Sequence, residues 1–416
     1  MSTMERRTTY REVFAVPAFR VLFASRTLAV TAGTLRIVAL SLLVYAVTGS
    51  TLLSAVAFGV GFVPQLFGGV LLGSLADRYR PRPLLVTGFL VECGVAAVLA
   101  VPGLPVASSL GIVAVAALVT PVFNGASSRL VAQVLTGDAY VLGRSVSSMA
   151  AAAAQVAGTA FGGVAVAAVG PRPALLIGAG CQLVAAATVR LGLPDLVAPA
   201  RSTPTASVTR DSWTVTVALL RDTAVRRLLL IQWLPPAFLT GVEAVVVPYA
   251  AGRAFPAGTV GGLLACVPAG MLVADLVVGR FLRPSTRERL VPVLLVLGGL
   301  PLFGLLADPS VRVVALLLAV AGGGGSAYVL GVQRRFVDAL PEAHRGQGFG
   351  LAGMGLMTVQ GLGPVAIGGL GQATSPPVAM AAAGGLIVLT AIAWTVSRSG
   401  WSRSPSPYAL PDRRSA

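Results

Sequence analysis

The chain has 416 residues, of which 55% are hydrophobic and only 11% are charged. A soluble domain of this size could not bury so much apolar surface, so the composition excludes a soluble protein and predicts an integral membrane protein. The formal net charge of +16 does not indicate a nucleic-acid partner, because the arginines lie mainly in the connections between apolar stretches.

Apolar stretches follow one another along the chain, and each is long enough to cross about 30 Å of hydrocarbon as a helix. Turns with Gly or Pro, or short charged loops, separate most of them. We therefore predict an all-α membrane protein with twelve transmembrane helices. The predicted spans are residues 20–46, 51–75, 83–103, 106–134, 141–169, 172–193, 226–251, 256–281, 289–306, 310–335, 347–371 and 376–397.

Arginines cluster before the first span, after the second, between the sixth and seventh, after the eighth, around the connection after the tenth and at the end of the chain. The alternate connections hold only Arg172, Arg253 and Arg312. Under the positive-inside rule, both termini of a multi-pass protein with this pattern are cytoplasmic. The polar N-terminal residues lack a cleavage-site pattern, so the first span is expected to act as an uncleaved signal anchor in the inner or plasma membrane.

The two halves of the chain are related by an internal repeat. A shift of 205 residues aligns the stretch that begins at Arg129 with the stretch that begins at Arg334, and Gln155 then falls on Gln360. Such repeats build two bundles that rock about a central site in many carriers. We predict four regions: an N-terminal six-helix bundle at 1–193, a cytoplasmic linker at 194–225, a C-terminal six-helix bundle at 226–397 and a cytoplasmic tail at 398–416.

The connection between the second and third spans reads GSLADRYRPR and covers residues 73–82. At this position in a twelve-span chain, it is similar to the signature of the major facilitator superfamily, which the chain resembles over nearly its whole length. The preceding VPQLFGGVLLGSLADR most resembles the drug-efflux branch related to macrolide exporters. The resemblance implies the major facilitator fold, with two pseudo-symmetric six-helix bundles and transport by alternating access.

Residues of this motif are candidates for a conformational latch. Gly73 allows close approach of the second helix to a neighbour, and Asp77 at a helix end can accept hydrogen bonds from the free N–H groups of another helix. The resemblance implies that the partner of Asp77 is the start of the eleventh helix, near 346–350, in the outward-facing state. Arg78 belongs to the same latch, and Arg82 would hold the loop or bind lipid phosphate. Alternatively, these charges only orient the loop.

Ionisable side chains inside the spans are costly and are therefore candidate proton or substrate sites. Arg36 lies midway along the first span and Glu243 midway along the seventh, at nearly the same depth in the repeat. We expect the two to face each other or share a cavity, with Glu243 binding a proton or a cationic substrate and Arg36 tuning its proton affinity. The alternative is a static buried ion pair. Asp275 is a further candidate, unless it pairs with Arg280 or Arg283.

Two other charged residues are expected to be less central. Glu92 lies on the third helix, which the resemblance places away from the cavity. Arg26 lies near the inner end of the first helix and is expected to extend to lipid headgroups.

A glycine-rich motif occurs on the fifth span and again on the eleventh. The first copy is similar to the antiporter motif of the drug-efflux branch, except that Thr159 stands where its proline is expected. The alternative interpretation is close packing of small residues between helices. The two copies are Gln155, Gly158, Gly162 and Gly163, and Gln360, Gly363 and Pro364.

The sequence predicts neither an enzyme nor a metal or cofactor site. Cys93, Cys181 and Cys266 lie on different spans without ligand-like spacing, and His344 is the only histidine. A phosphate-binding loop with Lys is absent from the sequence, so a primary pump is not expected either. Aromatic side chains that would suit an apolar cavity wall are Phe62, Phe67, Phe123, Trp233, Phe238 and Tyr328.

We predict a secondary active transporter that exports hydrophobic or amphiphilic small molecules, such as drugs and antibiotics, in exchange for protons. The expected partners are a small-molecule substrate, protons and the lipid bilayer, with no nucleic acid. The resemblance implies that the carrier works as a monomer. The alternatives are a narrow-specificity metabolite exporter or a solute importer of the same fold and, from another class, a membrane protein that does not transport.

Overall fold

The computed structural model describes residues 9–72, 75, 79–194, 215–256 and 258–401. In this part of the chain, twelve helices are long and apolar enough to cross a membrane, and we number them α1 to α12. The predicted all-α architecture is confirmed. A short helix, Tyr10–Ala15, precedes α1. The helices are α1 (Pro17–Thr48), α2 (Thr51–Gly59 and Phe62–Leu72), α3 (Pro81–Leu99), α4 (Val106–Val134), α5 (Gly137–Val169), α6 (Pro171–Gly192), α7 (Thr223–Gly252), α8 (Thr259–Phe281), α9 (Pro284–Gly299, continued as a 3-10 helix over Leu300–Ala307), α10 (Val311–Ala327 and Val329–Ala339), α11 (Arg345–Ala373) and α12 (Pro376–Trp401).

The helix boundaries follow from local sequence. Proline occupies one of the first two positions of α1, α3, α6 and α9, where its missing N–H leaves no unsatisfied acceptor. The backbone of Gly49 ends α1 in the left-handed conformation, with φ of 62°. At the start of α7, the Asp222 carboxylate accepts hydrogen bonds from the N–H groups of Ala224 at 2.8 Å and Val225 at 3.1 Å.

The same pairs of helices pack together in both halves of the chain. In the first half, α1 packs against α5 and α6, α2 against α4, and α3 against α6. In the second half, α7 packs against α11 and α12, α8 against α10, and α9 against α12. These pairs correspond one to one under the internal repeat, so the structure consists of two pseudo-symmetric six-helix bundles.

The two bundles meet along two seams of small residues. The first seam joins α5 to α8, where a Cβ on Gly163 would overlap the backbone of Gly261. The second seam joins α11 to α2, where a Cβ on Gly59 would lie 2.9 Å from Cγ of Pro364. Because α5 corresponds to α11 and α8 to α2, the repeat also relates the seams to each other. Small residues let the helices approach this closely in a membrane.

The glycines at 322–325 bring α10 close to two neighbours. A Cβ on Gly322 would overlap the Val267 carbonyl of α8, and one on Gly324 would overlap the Gly298 backbone of α9. The helix itself is interrupted three residues later, at Tyr328. The tetraglycine segment is therefore a site of close packing, and the break lies beyond it.

The proposed linker and tail are described only in part. Residues 215–221 are helical and lead into α7. Residues 195–214 and 402–416 lie outside the described residues. The boundaries predicted for the linker and the tail therefore stay predictions.

The interiors of the two bundles differ. In the C-terminal bundle a large buried cluster fills the space between the helices, and Tyr249, Tyr328 and Phe336 are among its largest side chains. In the N-terminal bundle the buried apolar residues form smaller, separate clusters. A cavity lies beside these smaller clusters and includes Leu22 and Leu40 in its wall.

Candidate functional site

A cavity of about 240 Å³ lies inside the N-terminal bundle, among α1, α2, α3, α4 and α6. The residues that α1 contributes recur every three or four positions, which places them on one face of the helix. They include Leu22, Arg26, Gly33, Arg36 and Leu40. The sequence predicted a central cavity with residues from both bundles, whereas the residues that line this cavity all come from one bundle.

An ion pair lies at the wall of the cavity. Nη2 of Arg36 on α1 lies 3.1 Å from Oε2 of Glu92 on α3, and the two side chains are only 14% and 20% exposed. Removing either charge from water costs roughly several kcal/mol. A close partner of opposite charge offsets that cost. The pair therefore ties α1 to α3 and places one cation and one anion at the cavity wall.

Amide side chains line the same cavity as this ion pair. Gln182 of α6 donates a hydrogen bond through Nε2 to the Ala29 carbonyl at 3.3 Å, while its Oε1 accepts none in the described part of the chain. Gln65 of α2 donates to the Gly61 carbonyl at 2.7 Å, and Asn124 of α4 also lines the cavity. The site combines a mainly apolar wall with a few convergent polar groups, which is typical of small-molecule sites.

The expected meeting of Arg36 and Glu243 is wrong for this structure. The carboxylate partner of Arg36 is Glu92, and Glu243 does not line the cavity that contains Arg36. Equal depth along two helices does not fix which faces meet, and the Arg36 face of α1 is directed into its own bundle. Glu243 lies midway along α7, is half-buried, and makes no hydrogen bond or ion pair in the part of the chain that the structure describes.

The cavity is also lined by two residues that the sequence analysis expected to be less central. Glu92 was expected to lie away from it because of its position on the third helix, and Arg26 was expected to extend to lipid headgroups. Both face the interior of the N-terminal bundle. Charge balance within one predicted bundle was the signal that could have paired Arg36 with Glu92, because unpaired charges inside a membrane are costly.

Asp275 is paired with a hydroxyl group. Its Oδ2 accepts a hydrogen bond from Oγ of Ser326 at 2.8 Å, which links α8 to α10. Its Oδ1 has no hydrogen-bond partner in the described part of the chain. The anticipated ion pair with Arg280 or Arg283 is not formed between these described residues. Asp275 therefore lies in the C-terminal bundle, apart from the Arg36–Glu92 cavity.

The first glycine motif packs α5 against two neighbours. A Cβ on Gly158 would overlap Thr34 of α1, and one on Gly162 would lie 3.1 Å from Cα of Leu35. The next residue, Gly163, faces α8 in the seam between the bundles. Gln155 is exposed and makes no side-chain hydrogen bond in the described structure. The geometry agrees with the packing interpretation, and a role in antiport remains a proposal.

The second glycine motif packs α11 in the corresponding way. A Cβ on Gly363 would overlap the Ala237 carbonyl of α7, and Pro364 contacts Gly59 of α2. Gln360 is half-buried between these contacts. The proline of the second copy therefore lies in the seam between the bundles, where α2 packs against α11.

Much of the predicted latch cannot be compared with the structure, since Gly73, Asp77 and Arg78 lie outside the described residues. Arg82 is described, and its Nη2 donates a hydrogen bond to the carbonyl of Arg190 in the last turn of α6. A guanidinium group at a helix C-terminus satisfies a free carbonyl and faces the negative end of the helix dipole. Arg82 thus connects the start of α3 to the end of α6, and the latch itself stays a prediction.

Two of the six aromatic residues expected at the cavity wall line the cavity. These are Phe62 and Phe123. Phe67 is 55% exposed, so it lies on the outside of the bundle. Trp233 donates a hydrogen bond to the Ala352 carbonyl and Tyr328 one to the Ile231 carbonyl, so both support the C-terminal bundle instead.

The sequence model described as Major Facilitator Superfamily matches residues 244–415. A peptide transporter POT solved in complex with alafosfalin is 14% identical, with a TM-score of 0.70 over 94% of this chain and 98% of that chain. The POT family transporter PepTSo is 13% identical, with a TM-score of 0.69 over 94% and 99%. A POT family transporter in complex with 5-aminolevulinic acid is 10% identical, with a TM-score of 0.69 over 92% and 96%. No curated protein sequence matches the chain.

At these identities the likeness shows the fold, so the chain is a multi-pass membrane protein with the major facilitator fold. The family match lies in the C-terminal half and spans less than half of the chain. Neither finding singles out the drug-efflux branch.

Proposed function

We propose that the chain is a secondary active transporter that exports hydrophobic or amphiphilic small molecules, drugs and antibiotics among them, in exchange for protons by alternating access. The observation that carries this proposal is the cavity in the N-terminal bundle. Its wall is mainly apolar and includes Phe58, Phe62, Phe89 and Phe123 together with the Arg36–Glu92 ion pair. A site of this kind holds an apolar body by burial and orients it through a few polar groups.

Proton coupling needs a carboxylate whose charge changes during the cycle, and three residues are candidates for that role. Glu92 lies in the cavity, so its protonation would free Arg36 for another anion. Glu243 lies midway along α7 without a partner among the described residues, so its charge is not fixed by an arginine. We retain Glu243 as a proton site and add Glu92; Asp275, hydrogen-bonded to Ser326, is the third carboxylate of this group.

A second candidate function is transport of a small polar solute, in either direction. The opposite charges of Arg36 and Glu92, with the free Oε1 of Gln182 in the same cavity, would suit a solute that carries both an acidic and a basic group. The similar structures described above include a peptide transporter and a transporter in complex with 5-aminolevulinic acid. The apolar share of the wall favours the first proposal.

The test is extrusion of fluorescent hydrophobic dyes from efflux-deficient cells that express the full chain, with and without a protonophore. Extrusion that the protonophore abolishes would support proton-coupled export. Glu92→Gln and Glu243→Gln are compared with Glu12→Gln, which removes one charge from the short helix before α1. If no dye is extruded while labelled dipeptides or amino acids are taken up, the export proposal is refuted in favour of the second candidate.

A further inference from the structure

A second pocket, of about 300 Å³, lies beside the cavity, where α4 ends and α5 begins. The two spaces share Leu22, Arg26 and Ser127 in their walls, so they adjoin each other along α1. On the topology predicted from the arginine distribution, this is the cytoplasmic end of the bundle. We therefore interpret the second pocket as the cytoplasmic entrance to the cavity and call it the entrance pocket.

Two arginines line this entrance pocket, Arg26 of α1 and Arg144 of α5. The described residues of the pocket wall include no carboxylate. Arg26 lies within a membrane span, is half-buried, and makes no hydrogen bond or ion pair in the described part of the chain. Because the two guanidinium groups line the same pocket, their like charges repel each other. Two cations at one pocket are unfavourable without an anion between them.

Hydroxyl groups complete the polar part of the pocket wall. Tyr140 accepts a hydrogen bond through its Oη from Nη1 of Arg144 at 3.1 Å. The hydroxyl groups of Ser127 and Ser148 make no hydrogen bonds in the described structure, so they can donate to an incoming oxygen. Guanidinium and hydroxyl donors around one space match a carboxylate or phosphate, whose oxygens only accept.

We propose that the entrance pocket binds the anionic group, a carboxylate or phosphate, of an amphiphilic organic anion, and that this anion is the substrate of the carrier. The inference rests on the proposed function and adds the charge of the substrate. Arg26 and Arg36 are ten residues apart on one face of α1, which corresponds to about 15 Å. An elongated molecule held by Arg26 and Arg144 reaches the aromatic wall of the cavity with its apolar body, whereas an organic cation is repelled at the entrance.

Equilibrium binding to the purified full chain in phosphatidylcholine nanodiscs tests this inference. The probe is dansylaminoundecanoic acid, and the matched cation is the same molecule with a primary amine in place of the carboxyl group. We expect the acid to bind at least about tenfold more tightly than the amine, since hydrogen bonds to charged groups are lost with the carboxylate. Equal affinity for the acid and the amine would overturn the inference.

Substitutions of single arginines test whether the acid binds at the entrance pocket. Arg26→Gln and Arg144→Gln should each weaken binding of the acid by about tenfold and leave binding of the amine unchanged or tighter. Arg26→Lys, which keeps the charge, should retain most of the acid affinity and shows that the fold tolerates a change at this buried position. Arg20→Gln removes an exposed arginine that lines neither space and should leave both affinities unchanged. Equal effects of Arg20→Gln and Arg26→Gln would mean non-specific attraction and would refute the site.

Two further comparisons complete the test. The first distinguishes a lipid phosphate from a substrate anion, and the second distinguishes failure of the anion site from failure of the proposed export. If phosphatidylglycerol in the nanodisc abolishes acid binding to the wild-type protein, the pocket belongs to a lipid phosphate and the substrate assignment fails. If cells extrude the dyes but Arg26→Gln does not weaken binding of the acid, the proposed export is supported and the anion site is refuted. Arginine-dependent acid binding without proton-dependent export supports the anion site and refutes the export.

Discussion

Replacing Glu92 by Gln removes the carboxylate that neutralises Arg36 and leaves the rest of the cavity almost unchanged in volume. The Arg36 and Glu92 side chains are 14% and 20% exposed, so the arginine would keep most of its desolvation without its partner. Breaking a buried ion pair from one side costs about 3–5 kcal/mol. Because this pair borders a cavity, we expect a value near the lower limit, about 3 kcal/mol.

A double-mutant cycle measures this effect. Arg36→Met and Glu92→Leu together replace the pair with apolar side chains of similar volume, and such replacements are often neutral or stabilising by roughly 1–4 kcal/mol. Each single substitution should therefore lower the thermal stability of the detergent-solubilised protein more than the double substitution does. The assay is thermal unfolding followed by tryptophan fluorescence, with Glu12→Gln as the control. If the double variant loses as much as the two single variants combined, the two charges are not energetically coupled and our interpretation of the cavity is refuted.

The remaining predictions concern the latch, the seam and the proton site. Asp77→Asn should leave the protein folded but slow the transport cycle, and a full transport rate in that variant would reduce the motif to an orienting loop. Gly163→Leu should overlap the Gly261 backbone of α8 and destabilise the protein by about 1–3 kcal/mol, whereas Gly111→Leu, at an open position on α4, should be tolerated in the same thermal assay. Glu243→Gln should make export independent of the proton gradient in the protonophore assay, and unchanged coupling would move the proton site to Glu92 or Asp275.

The sequence was sufficient for features that depend on local composition or on the repeat. Twelve helices follow from the apolar lengths, and the equivalence of α5 with α11 follows from the alignment of Gln155 with Gln360. The partner of Arg36 did not follow, because a helix can present any face at a given depth and its rotation is decided by packing. A single sequence gives the depth of Glu92 and Glu243 in the membrane but not which of the two lies opposite Arg36.

The glycines of α5 connect the seam between the bundles to the charged face of α1. Gly158 and Gly162 pack against Thr34 and Leu35, next to Arg36, while Gly163 faces α8 in the other bundle. Close backbone contact leaves little space to absorb a displacement, because packed interiors transmit strain. A displacement at the α5–α8 seam would therefore be transmitted to α1, the helix that carries Arg36. The motif that resembles an antiporter sequence thus connects the seam between the bundles to the helix that carries Arg36, and its geometry is that of small-residue packing between helices.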